Sequence, residues 1–204
     1  AKIVRELGFR VDSVYIGGGT PTTLSAEDLD SLLEKLENCF DLSQSREFTV
    51  EAGRPDTITA SKLAAMRRHG VDRISVNPQS MNQKTLDIIG RKHTAEQIAE
   101  AMELVRQFDF RAVNMDVIAG LPEETPEEFA DSLQRVAAFE PENITVHTMC
   151  FKRATRLVTE EQDTVLTQDN EVQEMVHFSH KLLNGKGYYP DYLYRQKKTL
   201  GNQE

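Results

Sequence analysis

Short runs of β-branched and apolar residues alternate along this whole chain with stretches of helical periodicity, and most of those stretches carry their own start or stop signal. That rhythm constrains the fold most. A strand that feeds a helix and then another strand packs most readily as a parallel sheet with helices outside it. Strands are predicted at Ser13–Ile16, Phe48–Glu51, Arg73–Val76, Ala112–Ile118 and Ile144–Met149, with a weaker one near Tyr188–Tyr194. Ser25 with Asp28 opens a helix over 26–38, and Gly70 stops the helix that carries Leu63 and Met66. A short helix around Thr85–Ile89 ends at Gly90, and Thr94 with Gln97 opens the next. Thr125, Pro126 and Glu128 form the clearest start: a cap, a proline at the first helical position and a reciprocal carboxylate. A last helix spans 168–184 and stops at Gly185.

Repeated βα units without long polar insertions predict an α/β protein, a partial (β/α) barrel with parallel strands and outer helices, in a single domain over 1–204. A doubly wound open sheet has the same rhythm and stays as the alternative. No apolar run approaches the roughly 18 residues of a membrane span. Net charge of −9 argues against nucleic acid and anionic membranes as partners, since both require a positive field. The first ten residues lack a secretory pattern, so a cytoplasmic location is expected. Cys39 and Cys150 are too few and too distant for a disulfide framework or a metal knuckle. Cys39 falls on the stripe Leu29, Leu32, Leu33, Leu36, Phe40 and reads as core.

In a parallel sheet, residues just past the C-terminal strand ends gather on one rim. After the first strand comes Gly17-Gly18-Gly19-Thr20-Pro21-Thr22, whose three residues without Cβ let a ligand approach the backbone closely; no Walker lysine follows. Taken alone, the triplet reads equally well as a tight turn. Glu51 ends the second strand, Gln79 follows the third, Arg91 follows the short helix, and Asp116 lies in Asn114-Met115-Asp116-Val117-Ile118-Ala119-Gly120-Leu121-Pro122. A carboxylate there suits a ribose hydroxyl, an amino group or a pyrrole N–H. Singly, each charge also reads as a salt bridge or cap, and Gln79 as an amide satisfying loop backbone. His177 and His180 lack a third ligand and read as surface; His147 lies on a strand, either in the core or toward the site; His69 and His93 need no special role.

The glycine run and the Asn114–Pro122 segment resemble the Gly-Gly-Gly-Thr-Pro-Thr and Asn-x-Asp-Leu-Ile-x-Gly-Leu-Pro motifs of radical S-adenosylmethionine (SAM) enzymes in the oxygen-independent coproporphyrinogen III oxidase family. The resemblance runs from about Val11 to Met149, and Asn77–Asn82 with Tyr192–Lys197 look closest to its coproporphyrinogen dehydrogenase branch. It implies that Gly17, Gly18, Gly19, Thr20, Gln79, Asp116 and the turn at Gly120 position SAM, while Glu51 and Arg91 contact SAM or a second SAM-like ligand. It also implies the chemistry: a [4Fe–4S] cluster, fed by an electron donor, reduces SAM to methionine and a 5′-deoxyadenosyl radical. That radical takes hydrogen from a porphyrinogen propionate, which loses carbon dioxide and becomes a vinyl group. Lys152, Arg153, Arg156 and Arg195 are candidate propionate partners.

The family's cluster cysteines, Cys-x-x-x-Cys-x-x-Cys, precede the glycine motif, and neither Cys39 nor Cys150 matches them. The chain is therefore expected to be the central part of such a barrel, truncated at both ends and inactive alone. Two alternatives remain open: a haem-binding chaperone of the same superfamily, and an unrelated barrel enzyme using Glu51 and Asp116 as acid and base or as metal ligands.

Overall fold

The computed structural model describes residues 1–149 and 169–191. Strands β1 (Ser13–Ile16), β2 (Glu47–Gly53), β3 (Arg73–Gln79), β4 (Ala112–Ala119) and β5 (Asn143–Thr148) form one parallel sheet in the order β1-β2-β3-β4-β5. A doubly wound sheet reverses strand order at a switch point, so this unbroken sequential order selects the barrel-type arrangement. The helices are α1 (Lys2–Glu6), α2 (Ala26–Cys39), α3 (Ala60–Arg68), α4 (Gln83–Ile88), α5 (Ala95–Arg106), α6 (Pro126–Ala138) and α7 (Asp169–Gly185). None is long and apolar enough to cross a membrane. The chain divides into two compact units: 1–77 with 96–114, and 78–95 with 115 onward.

In the first unit, Ser25 caps α2 by accepting from the Asp28 N–H at 3.0 Å, and Thr59 caps α3. Leu29 and Leu33 of α2 and Leu63 and Met66 of α3 are fully buried, as are Val50, Ile74 and Val76 of the strands. Each such side chain contributes about 1.5–3 kcal/mol on burial. Four positions on the predicted stripe depart from expectation: Leu36, Cys39 and Phe40 are only half-buried and Leu32 is 38% exposed. The buried face of α2 is centred on Leu29 and Leu33, one turn apart, and a 3.6-residue period rotates Leu32 and Cys39 toward its margin. His69, which seemed unremarkable in sequence, caps α3 with Nδ1 2.7 Å from Glu37 and Nε2 2.9 Å from Asp30, both carboxylates of α2.

In the second unit, the capping box at Thr125 forms as predicted, and Phe129, Leu133 and Val136 of α6 are buried. The α4 helix is capped by Asn82, whose Oδ1 accepts from the N–H groups of Lys84 and Thr85. His93 is fully buried, with Nε2 3.4 Å from the Pro78 carbonyl. The α7 helix buries Val172 and Met175 and leaves His177 and His180 exposed. Residues 188–191 are not a strand; the Tyr188 hydroxyl donates to the Pro141 carbonyl at 2.7 Å. The rest of that predicted strand lies outside the described residues, with Cys150, Lys152, Arg153, Arg156 and Arg195.

Candidate functional site

The first unit places the glycine motif directly after β1. Register pairs Ile16 with Val50, so Gly17 comes opposite Glu51 on the neighbouring parallel strand. Tyr15 lies two residues before Gly17 and shares its face. The Tyr15 hydroxyl donates to Glu51 Oε2 at 3.1 Å, and Asn77 Nδ2 donates to Glu51 Oε1 at 3.3 Å. A Cβ on Gly17 would lie 2.3 Å from a Tyr15 ring carbon and 2.9 Å from Glu51 Oε2, which no real contact allows. Gly17 therefore lacks a side chain so that Tyr15 and Glu51 can close over the strand end. Among the described residues nothing lies within 4 Å of the would-be Cβ positions of Gly18 (φ 107°) and Gly19, so that backbone is open there.

The rest of the motif anchors this opening. Pro21–Thr23 form one 3₁₀ turn, and Thr22 is wholly buried. Its hydroxyl donates to the Ala52 carbonyl at 2.5 Å and lies 2.6 Å from the Thr57 hydroxyl. Lys62 Nζ donates to the carbonyls of Thr22 (2.6 Å) and Thr57 (3.0 Å), tying the turn to the segment after β2. The β2–β3 register shifts between Glu51 and Gly53, and Gly53 takes φ 65° with Thr20 against it. Sequence reasoning missed Thr22, Lys62 and the Tyr15–Glu51–Asn77 cluster. Only the last two residues of the glycine motif, Pro21 and Thr22, carried a signal, as a proline followed by a β-branched hydroxyl residue just where the open backbone ends.

In the second unit, Gln79 ends β3 at φ 70°, a left-handed backbone that disfavours any residue but glycine, while 8% exposed. Asp116, half-buried on β4, has Oδ2 3.8 Å from Nε2 of His147 on β5, so His147 faces the predicted site residue and is not a core histidine. Gly120 follows β4 at φ 86°, and its N–H points at Met175 Sδ at 3.2 Å. Arg91 is half-buried, and its N–H closes α4 on the Leu86 carbonyl at 2.8 Å. Gly17 and Glu51 are thus brought into contact within one unit, while Gln79, Arg91, Asp116 and Gly120 belong to the other.

A buried polar cluster that sequence reasoning did not find lies beside Gln79. Ser80 Oγ donates to Glu124 Oε1 at 2.5 Å and lies 3.2 Å from Ser132 Oγ, which accepts from the Met81 N–H at 3.0 Å. Glu124 is 3% exposed, and its Oε2 has no hydrogen-bond partner among the described residues. Burial pushes its carboxyl up to about 7; the Ser80 hydrogen bond opposes this, the charge of Glu128 adds to it, and Thr85 opposes it. The cluster ties the segment after β3 to the Leu121–Glu124 turn after β4.

The Radical SAM superfamily model matches residues 1–136, and the chain belongs to that superfamily. Over 202 residues it is 45% identical to the oxygen-independent coproporphyrinogen-III oxidase-like protein HemZ of Bacillus subtilis, covering 98% of this chain and 40% of HemZ. It is 30% identical over 179 residues to the heme chaperone HemW of Haemophilus influenzae, covering 88% of this chain and 46% of HemW. The structure of coproporphyrinogen III oxidase (HemN) from Escherichia coli, a radical SAM enzyme, matches with a TM-score of 0.78 and 27% identity over 89% of this chain and 42% of that one. The chain spans less than half the length of these relatives.

The superfamily implies SAM and an iron–sulfur cluster. The residues present fit SAM: a side-chain-free strand end, open backbone at Gly18 and Gly19, and a buried amide oxygen at Asn77 with no partner among the described residues stand beside a carboxylate. They do not fit the cluster, because two cysteines cannot supply three thiolates. Among the described residues no group of three or more His, Cys, Asp or Glu side chains is placed to hold a metal ion.

Proposed function

We propose that residues 1–204 form one domain, the central part of a radical SAM barrel, in a cytoplasmic enzyme that converts propionates of coproporphyrinogen III to vinyl groups, giving protoporphyrinogen IX. The observation that carries the reading is Glu51, held by Tyr15 and Asn77 against a strand end that has no Cβ. The 45% identity to the coproporphyrinogen-III oxidase-like HemZ over nearly the whole chain supports the substrate class. When bound, SAM supplies the group that takes a hydrogen atom from the substrate.

The chain's own residues bind and orient. Gly17, Gly18, Gly19 and Thr20 offer backbone to the aminoacyl end of SAM, and Gln79, Asp116 and the Gly120 turn position the remainder. Glu51 and Arg91 contact SAM or a second such ligand. The porphyrinogen is the substrate; an external electron donor supplies the electron consumed with SAM, and an electron acceptor takes the one released when the propionate radical loses carbon dioxide to become a vinyl group.

The test is anaerobic incubation of the intact, reduced protein with SAM and coproporphyrinogen III. Consumption of SAM with release of carbon dioxide and formation of protoporphyrinogen IX is expected. The second reading, a haem chaperone, is favoured by the 30% identity to HemW. It predicts stoichiometric haem transfer with no porphyrinogen turnover, and that result would replace the oxidase reading.

A further inference from the structure

We infer that Asn77 is a ligand-binding residue: its side-chain carbonyl is a second acceptor, beside Glu51, for the α-amino group of the S-adenosyl amino acid. The inference deepens the SAM-binding reading and rests on it. Asn77 is 5% exposed, and its Oδ1 is buried without a hydrogen-bond partner among the described residues. Buried amide oxygens are rarely left unpaired in a native fold, so an orphan of this kind asks for a donor. The amide cannot simply be turned over, because Nδ2 donates to Glu51 Oε1, and a flip would set two acceptors against each other.

The chemistry of the missing donor follows from what surrounds it. Tyr15 and Asn77 occupy one site on each Glu51 oxygen, which leaves further lone pairs open on both. Glu51 makes no ion pair among the described residues. The atoms left open on Glu51 and Asn77 are thus acceptors, and among the described residues the carboxylate has no counter-charge. An amino group, with several N–H donors and a positive charge, satisfies both conditions, whereas a ribose hydroxyl is neutral and brings acceptors of its own. The absent Cβ at Gly17 leaves the room that the Tyr15 ring and Glu51 Oε2 themselves occupy.

The test is calorimetric titration of the intact protein with S-adenosylhomocysteine and with its des-amino analogue, for the unsubstituted protein, Asn77→Ala and Asn77→Asp. Asn77→Ala is expected to weaken S-adenosylhomocysteine about tenfold while changing the des-amino analogue less than about twofold. Asn77→Asp keeps the acceptor but gives up the Nδ2 hydrogen bond and sets a second carboxylate beside Glu51, a like-charge pair that an ammonium group relieves, so it should keep or sharpen the preference for the amino ligand; it also carries the test should the alanine variant not fold. Equal losses for the two ligands, or none, in Asn77→Ala would overturn the assignment, as would loss of the preference in Asn77→Asp. An unsubstituted protein that binds neither ligand would instead overturn the SAM reading and this inference with it.

Discussion

Glu124→Gln separates the charge of a buried carboxyl from its shape. Glu124 is 3% exposed and its carboxyl is pushed up from 4.5 to about 7, chiefly by burial. The native state therefore holds the proton more tightly than the unfolded chain does. Its contribution to stability is fully present below about pH 4.5 and is lost as pH rises through about 7. At about 1.4 kcal/mol per pH unit the whole effect is about 3 kcal/mol, with roughly 2 kcal/mol of it falling between pH 5.5 and 8. Glutamine keeps the acceptor for Ser80 and resembles the protonated acid, but sets N–H groups where Oε2 has no partner. That desolvation costs about 1–3 kcal/mol at every pH. The unfolding free energies of the two proteins, from urea titrations at several pH values, should therefore differ by an amount that changes by roughly 2 kcal/mol between pH 5.5 and 8, in favour of Gln at the higher pH. Other titrating groups cancel in the comparison. A difference that does not vary with pH would refute the reasoning.

Gly17→Ala should displace the side chain of Tyr15, a residue that is 65% exposed, so stability should fall by less than about 1 kcal/mol. S-adenosylhomocysteine binding, measured by titration, should weaken more than about tenfold because Glu51 loses one of its two holds. At position 79, Gly should be more stable than Ala by about 1 kcal/mol in denaturant unfolding, because φ is 70°; at an ordinary strand position the order is the reverse. His69 is desolvated, which lowers its affinity for a proton, but Glu37 and Asp30 outweigh this and raise it above 6.5. Its stabilisation, less than about 1 kcal/mol given the exposure of both carboxylates, is present below pH 6.5 and lost as pH rises through the raised value. A ring-proton NMR titration that returns an ordinary midpoint would contradict this.

Much of the fold was legible in sequence because its determinants are local. The capping box at Thr125, the cap at Ser25 and the stop at Gly70 act within one helical turn, and β1 has the predicted bounds. Strands β2 and β3 run past their last predicted residues to Gly53 and Gln79, because parallel pairing carries the ladder through residues that have no strand preference of their own. The glycine motif was visible for the same local reason: a run without Cβ cannot be mistaken for a strand or a helix.

By itself the sequence determined the βα alternation, the starts of the helices at Ser25 and Thr125 and the identity of the residues that follow each strand, since each depends on neighbours a few positions away. The short helix instead starts at Gln83 behind Asn82, and the last one runs through Gly185. Tertiary structure alone decided that Tyr15 and Asn77 grip Glu51 from sequence distances of 36 and 26 residues, and that Ser80 meets Glu124 in a buried cluster. Such contacts depend on strand register and on desolvation. Both are properties of the packed chain, because a carboxyl can have its proton affinity raised only after the fold has taken water away from it.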